Sequence, residues 1–278
     1  MEKYSSFKWL KRIAKNERSR RWIEKIERWR KLAFEQGKFL RSRKLFSVDL
    51  GRYKIWFRKC SAYSSVDIYT EIFKEHKHFL ISEFSGENAN LVVDLGANEG
   101  YYTLKLKQNN AKCKVIAIEP NPLAFEILKK NLESNKLRDV ILVNKAICSK
   151  SGKMSFEMVA NVSAIGAKNL RIMRRPWLKK EMIEKIKVDC ITLSELFENY
   201  KIEKVDILKL DVEGMELEIL KSGKNLLNKI CKIVVEWHSK EIKDRIKKFL
   251  KEKGFKLIFE EEKECGDLYF VNSRCSGK

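Results

Sequence analysis

The stretch LVVDLGANEGYYT, Leu91–Thr103, decides the fold. An apolar, β-branched run carries Asp94 near its end and stops at Leu95. Gly96, Ala97, Asn98 and Gly100 follow, and a helical pattern then starts at Tyr101. Small residues between a strand and a helix let the backbone come close to a ligand. The free N–H groups of a helix start favour an anionic group there. The loop is G-x-x-x-G rather than G-x-G-x-x-G, and no GK[ST] follows it, so neither a dinucleotide fingerprint nor a P-loop is present.

Working outward, apolar runs recur at Lys114–Ile118, Val140–Val143, Val205–Leu210, Ile230–Glu236, Phe255–Phe259 and Leu268–Val271. Helical patterns at 100–108, 122–134, 213–222 and 239–253 separate most of them. Short strands apolar on both faces, alternating with helices, predict a mostly parallel, Rossmann-like α/β sheet covered by helices on both faces. The last two runs have only a polar link between them, which predicts an antiparallel pair at one edge. The expected order of the first five strands is 3-2-1-4-5, with ligands at the switch point.

The second run ends in Glu119, 19 positions after Gly100. A carboxylate at that strand tip accepts hydrogen bonds from both hydroxyls of a ribose. Glycine loop and acid together describe a nucleoside site, and S-adenosylmethionine (SAM) fits it. The residues expected around SAM are Asp94, Gly96, Ala97, Asn98, Gly100, Tyr101, Glu119, Pro120, Asn121 and, beside the adenine, Ala146.

The fourth run reads VDILKLDVEGMELEIL (205–220) and the fifth KIVVEWHSK (232–240). Asp211, Glu213 and His238 fall at neighbouring strand tips and are the expected catalytic residues. His238 has the native pKa of a general base, which Asp211 or Glu213 could orient or replace. The same Asp/Glu/His set could hold a divalent cation that acidifies a hydroxyl. The Asp211-Val-Glu-Gly run is no Asp-Pro-Pro-Tyr, which favours oxygen over a base nitrogen as acceptor. Glu216 reads as an acid favouring a helix dipole. His76 and His78 are two apart, share no helix face, and are read as having no site role.

At these residues the chain resembles the FkbM-type SAM-dependent methyltransferases. The resemblance covers roughly residues 62–271. It is carried by VVDLGANEGYYT (92–103), AIEPNP (117–122), NKAI (144–147), VDCITLSEL (188–196) and LKLDVEGMELEILKSG (208–223). It implies the seven-stranded class I methyltransferase fold and O-methylation of a hydroxyl on a sugar, glycan, glycolipid or polyketide. By motif match it implies Asp94, Gly96, Asn98, Gly100 and Glu119 as SAM contacts, and Asp211 and Glu213 as active-site acids. A saccharide, glycan or lipid-linked glycan is the expected acceptor class. The alternatives are an RNA 2′-O-methyltransferase and a SAM-binding protein without turnover.

Two domains are expected, a basic extension over 1–60 and a methyltransferase domain over 61–278, with residues 158–186 as a substrate-cover insertion. The whole chain of 278 residues carries a net charge of +21. Residues 1–60 hold 20 basic and 6 acidic side chains, net +14, while the other 218 hold 39 and 32, net +7. Trp9, Trp22, Trp29 and Trp56 sit in that basic leader, which reads as helix over 1–44 and a hairpin around Leu50-Gly51-Arg52. Trp22, Ile26, Trp29 and Ala33 form one helical stripe. The leader can be an interfacial helix on an anionic membrane, a phosphate-backbone grip, or a cap packed on the domain. No apolar run reaches the about 18 residues of a membrane span, and the N-terminus is no secretory signal. A cytoplasmic protein, peripheral on the membrane face, is expected. Seven scattered cysteines with no CxxC pair predict reduced thiols rather than disulfides.

Overall fold

A computed structural model describes residues 3–36, 42–159, 166–167, 183–263 and 265–275. Its centre is a seven-stranded sheet. The strands are β3 (Leu91–Leu95), β4 (Lys114–Ile118), β5 (Val140–Val143), β10 (Val205–Leu210), β11 (Ile230–Trp237), β12 (Phe255–Glu260) and β13 (Gly266–Asn272). The order is β12-β13-β11-β10-β3-β4-β5. The strands from β11 to β5 are parallel, and β13 is antiparallel to both β11 and β12. The expected 3-2-1-4-5 order and the antiparallel edge pair are both present.

Helices α4 (Tyr101–Asn109), α5 (Pro122–Ser134), α7 (Glu216–Ser222) and α8 (Lys240–Glu252) connect the strands. Asn121 caps α5 by accepting from the Leu123 N–H at 3.0 Å, with Pro122 in the first helical turn. A smaller sheet, β6 (Ala146–Ile147), β7 (Gly152–Val159), β8 (Gly166–Ala167) and β9 (Ile183–Ile191), follows β5. Strands β7 and β9 pair antiparallel over eight positions. Of the expected insertion 158–186, most lies outside the described residues, and its reading as a substrate cover with it.

Two expected boundaries move. The stretch VDIYTEIFKEHKHFLISEF (66–84) has a helical pattern throughout, yet it holds only the end of α3 (Ala62–Phe73), a tight turn and a 3-10 turn at Ser82–Phe84. His76 and His78 take φ of 59° and 65°, outside the helical region. The apolar period runs on past Phe73 because Phe79 and Phe84 are also buried, but the turn buries them instead of a helix. The helix expected from 213 begins at Glu216, because Glu213 (φ 56°) and Gly214 (φ 98°) form a left-handed turn. The Glu216 carboxylate accepts the N–H groups of Val212 (3.2 Å) and Gly214 (3.0 Å). Glu216 is therefore a buried turn clamp rather than a dipole-serving surface acid.

The leader is two helices, α1 (Lys3–Ile13) and α2 (Glu17–Gln36), and the hairpin β1 (Leu45–Leu50) and β2 (Tyr53–Arg58). Lys11 pairs with Glu27 at 2.7 Å and Arg30 lies over the Phe7 ring, so α1 and α2 run antiparallel. Trp22 stacks on Phe46 at 4.1 Å, Trp29 meets the same ring edge-on at 6.0 Å, and Trp9 meets Tyr69 at 6.1 Å. The tryptophans thus face the protein. Phe7, Leu10, Ile23, Ile26, Val48 and Ile55 share one buried cluster with Val92, Leu104 and Val115 of the sheet and α4.

The cysteine expectation needs correction. Cys148 is bonded to Cys190 and Cys231 to Cys275. Cys190 lies on β9 opposite Ala146, two residues before Cys148. Pairings 42 and 44 residues apart need strand register, which spacing alone does not supply.

Candidate active site

The carboxyl tips of β3, β4 and β10 meet at a cavity. Gly96 (φ 79°) and Gly100 (φ 86°) shape the loop after β3. A Cβ on Gly96 would stand 1.8 Å from the Asp211 carbonyl oxygen, so glycine is what lets β3 and β10 close on each other. Glu119 fixes the opposite wall. Its Oε2 accepts the Asn98 N–H at 2.8 Å and its Oε1 the Asn121 N–H at 2.7 Å. Each carboxylate oxygen has two lone pairs, so capacity remains for two ribose hydroxyls. Burial pushes the Glu119 carboxyl up to about 7, against the pull of those two N–H groups and Lys209. On the side of β6 and β7 the cavity has an apolar lining of Ala146, Ile147, Met154 and Phe156. Free acceptor capacity beside an apolar wall fits SAM.

The acceptor end is a network of buried charge. Lys209 of β10 donates to the Gly96 carbonyl at 2.7 Å and pairs with Asp94 at 3.2 Å and Asp211 at 3.5 Å. Asp94 in turn accepts from the Thr103 hydroxyl at 3.0 Å. Burial disfavours the Asp211 anion, but Lys209, His78 and Lys77 outweigh it and hold the carboxyl well below the usual range. His78 Nε2 stands 3.8 Å from Asp211. Its Nδ1 donates to Asp267 at 2.9 Å, and its backbone N–H donates to the same carboxylate at 2.9 Å. Burial lowers the His78 pKa, but Asp267 and Asp211 raise it to about 9. Lys77 donates to Glu236 at 3.0 Å.

The chain can now be placed among known proteins. The Methyltransferase FkbM domain matches residues 94–257. The chain belongs to the FkbM methyltransferase family. Among its relatives is Methyltransferase sdnD of Sordaria araneosa, 28% identical over 216 residues, covering 68% of this chain and 82% of that protein. Hexuronic acid methyltransferase AglP of Haloferax volcanii is 31% identical over 153 residues, 55% of this chain and 58% of that one. The 2-O-methyltransferase NoeI of Sinorhizobium fredii is 24% identical over 162 residues, 55% and 65%. The enzyme is a SAM-dependent methyltransferase.

This FkbM methyltransferase brings Gly96, Asn98, Glu119, Pro120, Asn121, Ala146, Asp211 and Glu213 to the cavity wall. It places Asp94, Ala97, Gly100 and Tyr101 behind that wall. Asp94 holds Lys209 and Thr103. The Tyr101 hydroxyl donates to buried Glu99 at 2.7 Å, and a Cβ on Gly100 would meet Leu128 at 2.4 Å.

His238 Nε2 sits 2.9 Å from Glu213, 4.0 Å from Glu236, and its Nδ1 3.7 Å from Glu216. Burial works against its charge, but these carboxylates, Glu213 foremost, raise its pKa to about 11. His238 is therefore a resident cation, not the resting base that its residue type suggests. Glu236 is pushed up to about 8 by burial and by Asp211, against Lys77.

Asp211, Glu213 and His238, and likewise His78, Asp211 and Glu236, bring ligand atoms within 4.8 Å of one another. That spacing suits a divalent cation, which would have to displace the proton that the neighbouring carboxylates favour on each imidazole.

Sequence reading missed Lys77, His78, Lys209 and Asp267. Lys209 carries a legible signal, a lysine inside an otherwise apolar buried strand. His78 carries none, because only its left-handed turn, 189 residues from Asp267, aims it into the rim.

Proposed function

We propose that this enzyme transfers a methyl group to a hydroxyl oxygen of a saccharide, free, within a glycan or lipid-linked. One observation carries the reading: the carboxylates of Asp211 and Glu213 line the cofactor cavity, backed by cations rather than by an aromatic base-stacking wall. The names of two relatives, a hexuronic acid methyltransferase and a 2-O-methyltransferase, support the same acceptor class.

Bound SAM supplies a methyl group on a sulfonium, already activated for in-line displacement. Gly96, Asn98 and Glu119 would hold it in the cavity, with Ala146 and Ile147 offering apolar contact to its base. Lys209 and His78 both face Oδ2 of Asp211, which leaves Oδ1 for the acceptor hydroxyl. A low-pKa carboxylate is a weak early base, so Asp211 first orients the hydroxyl by accepting its hydrogen bond. As the new C–O bond forms, the methyl–sulfur bond breaks with its electron pair going to sulfur, which leaves as a neutral thioether; the hydroxyl proton becomes strongly acidic and passes to Oδ1 of Asp211. Glu213, fixed by protonated His238, bounds the acceptor on its other side. No step needs a metal ion.

The test incubates the enzyme with methyl-labelled SAM and host extract, and counts label in glycan-plus-lipid and RNA fractions separately. Label is expected in the first. Asp211→Asn is expected to lose about 10²-fold or more in transfer while keeping SAM binding. Label confined to RNA, or full activity in Asp211→Asn, overturns the reading. An anionic membrane surface, met through residues 1–45, is the second partner in this proposal.

A further inference from the structure

The tryptophans of the leader are turned onto the protein, so they are not the membrane contact. What α1 and α2 present outward is charge. Arg18, Arg21, Lys25 and Arg28 are exposed at spacings of 3, 4 and 3. They form one stripe along α2, about 15 Å long at 1.5 Å per residue. Lys8 and Arg12, four apart on α1, and Lys15 just beyond its end are also exposed. The exposed acids of these two helices among the described residues are Glu17 and Glu24. Glu17 pairs with Arg21 at 3.2 Å and Arg20 at 3.9 Å, and such exposed pairs neutralise little. Leu32, 38% exposed, is the large apolar side chain turned outward on this face.

We infer that the outer face of the α1–α2 hairpin docks the enzyme on an anionic lipid surface by electrostatics alone, without inserting side chains into the bilayer. The observations separate this from two neighbouring ideas. An interfacial helix buries an apolar face in lipid; here that face is spent on Phe46, Tyr69 and the shared core. Single-stranded nucleic-acid grips interleave cations with exposed aromatic platforms. Here Trp22 and Trp29 pack on Phe46, and Lys25 and Lys59 lie over their rings at 4.7 and 5.3 Å. A cation array whose apolar surface is confined to Leu32 and the half-buried edges of Trp22 and Trp29 matches a sheet of anionic headgroups. The docking stands independently of the acceptor proposed above and suits a lipid-linked one.

The experiment is co-sedimentation of the whole chain with vesicles of phosphatidylcholine alone or mixed with phosphatidylglycerol, at low and high salt. Binding is expected to the anionic vesicles at low salt, to fall steeply at high salt, and to be absent on phosphatidylcholine. Each cation near the surface is worth about fivefold in partition, so R18E/R21E/K25E/R28E is expected to lose about 10²-fold or more. SAM binding by that variant reports that it remains folded. Equal binding to neutral vesicles, binding that survives high salt, or full binding by the folded quadruple variant overturns the inference. So does capture by single-stranded RNA with no binding to anionic vesicles. A wild-type enzyme that sediments with vesicles yet labels no glycan or lipid would sink the acceptor reading and leave the docking intact.

Discussion

The two halves of the catalytic rim are built differently. The cofactor half is made of two short loops, 96–100 after β3 and 119–121 after β4, whose Asn98 and Asn121 backbone N–H groups close on the Glu119 carboxylate. The acceptor half is made of side-chain charges drawn from five separate segments: Lys77 and His78, Lys209 and Asp211, Glu213 and Glu216, Glu236 and His238, and Asp267. Backbone-built sites tolerate side-chain change where no Cβ intrudes. Charge-built sites fail as a unit, because removing one member strands its partners in a low dielectric.

Lys209 touches both halves, and its loss is the harshest test of the comparison. Lys209→Met leaves Asp94 and Asp211 without their shared cation in the interior. It is expected to cost about 3–5 kcal/mol of stability, read by denaturant unfolding, and to abolish transfer. A variant as stable as the parent would mean that the network is not held by its charges. Gly96→Ala attacks the backbone-built half where a Cβ does intrude, onto a carbonyl that cannot yield. A cost of about 3 kcal/mol is expected, with loss of SAM binding by calorimetry. Retained affinity would show that the β3–β10 contact relaxes freely.

Glu119→Gln is milder. It keeps the shape and loses a charged acceptor, so SAM affinity should fall about tenfold to a hundredfold. The sign of the pH effect is specific. With the Glu119 carboxyl raised to about 7 by burial, the ionised acceptor is lost as pH falls through 7, and SAM affinity should weaken on that side. The Gln variant should lack this slope; an identical slope would assign it to another group. The smallest expected effect is none: EDTA should leave transfer unchanged, and a metal-restored loss would show that the acceptor half exchanges its protonated histidines for a cation.

The same contrast explains what was legible in the sequence. Strand tips, glycine loop and Glu119 follow one another within 31 residues, 91–121, so period and spacing place them. Asp211 and Glu213 were legible for the same reason, at a strand end. His78 was not, since a helical period runs through a turn that only left-handed residues could end. His238 was found at its place but not in its role, because Glu213, Glu236 and Glu216 reverse the protonation that its residue type suggests. The tryptophan stripe was legible as a stripe; whether it faced lipid or Phe46 depended on the hairpin β1–β2 lying beneath it.

Strand β13 lies inside the sheet, between β11 and β12, yet follows both along the chain. In vectorial synthesis it emerges from the ribosome after both of its neighbours. It carries Asp267, the anchor of His78, opposite Glu236 in register. The anchor of the histidine that faces Asp211 is therefore the last piece of the rim to be synthesised, long after the loops that line the nucleoside pocket.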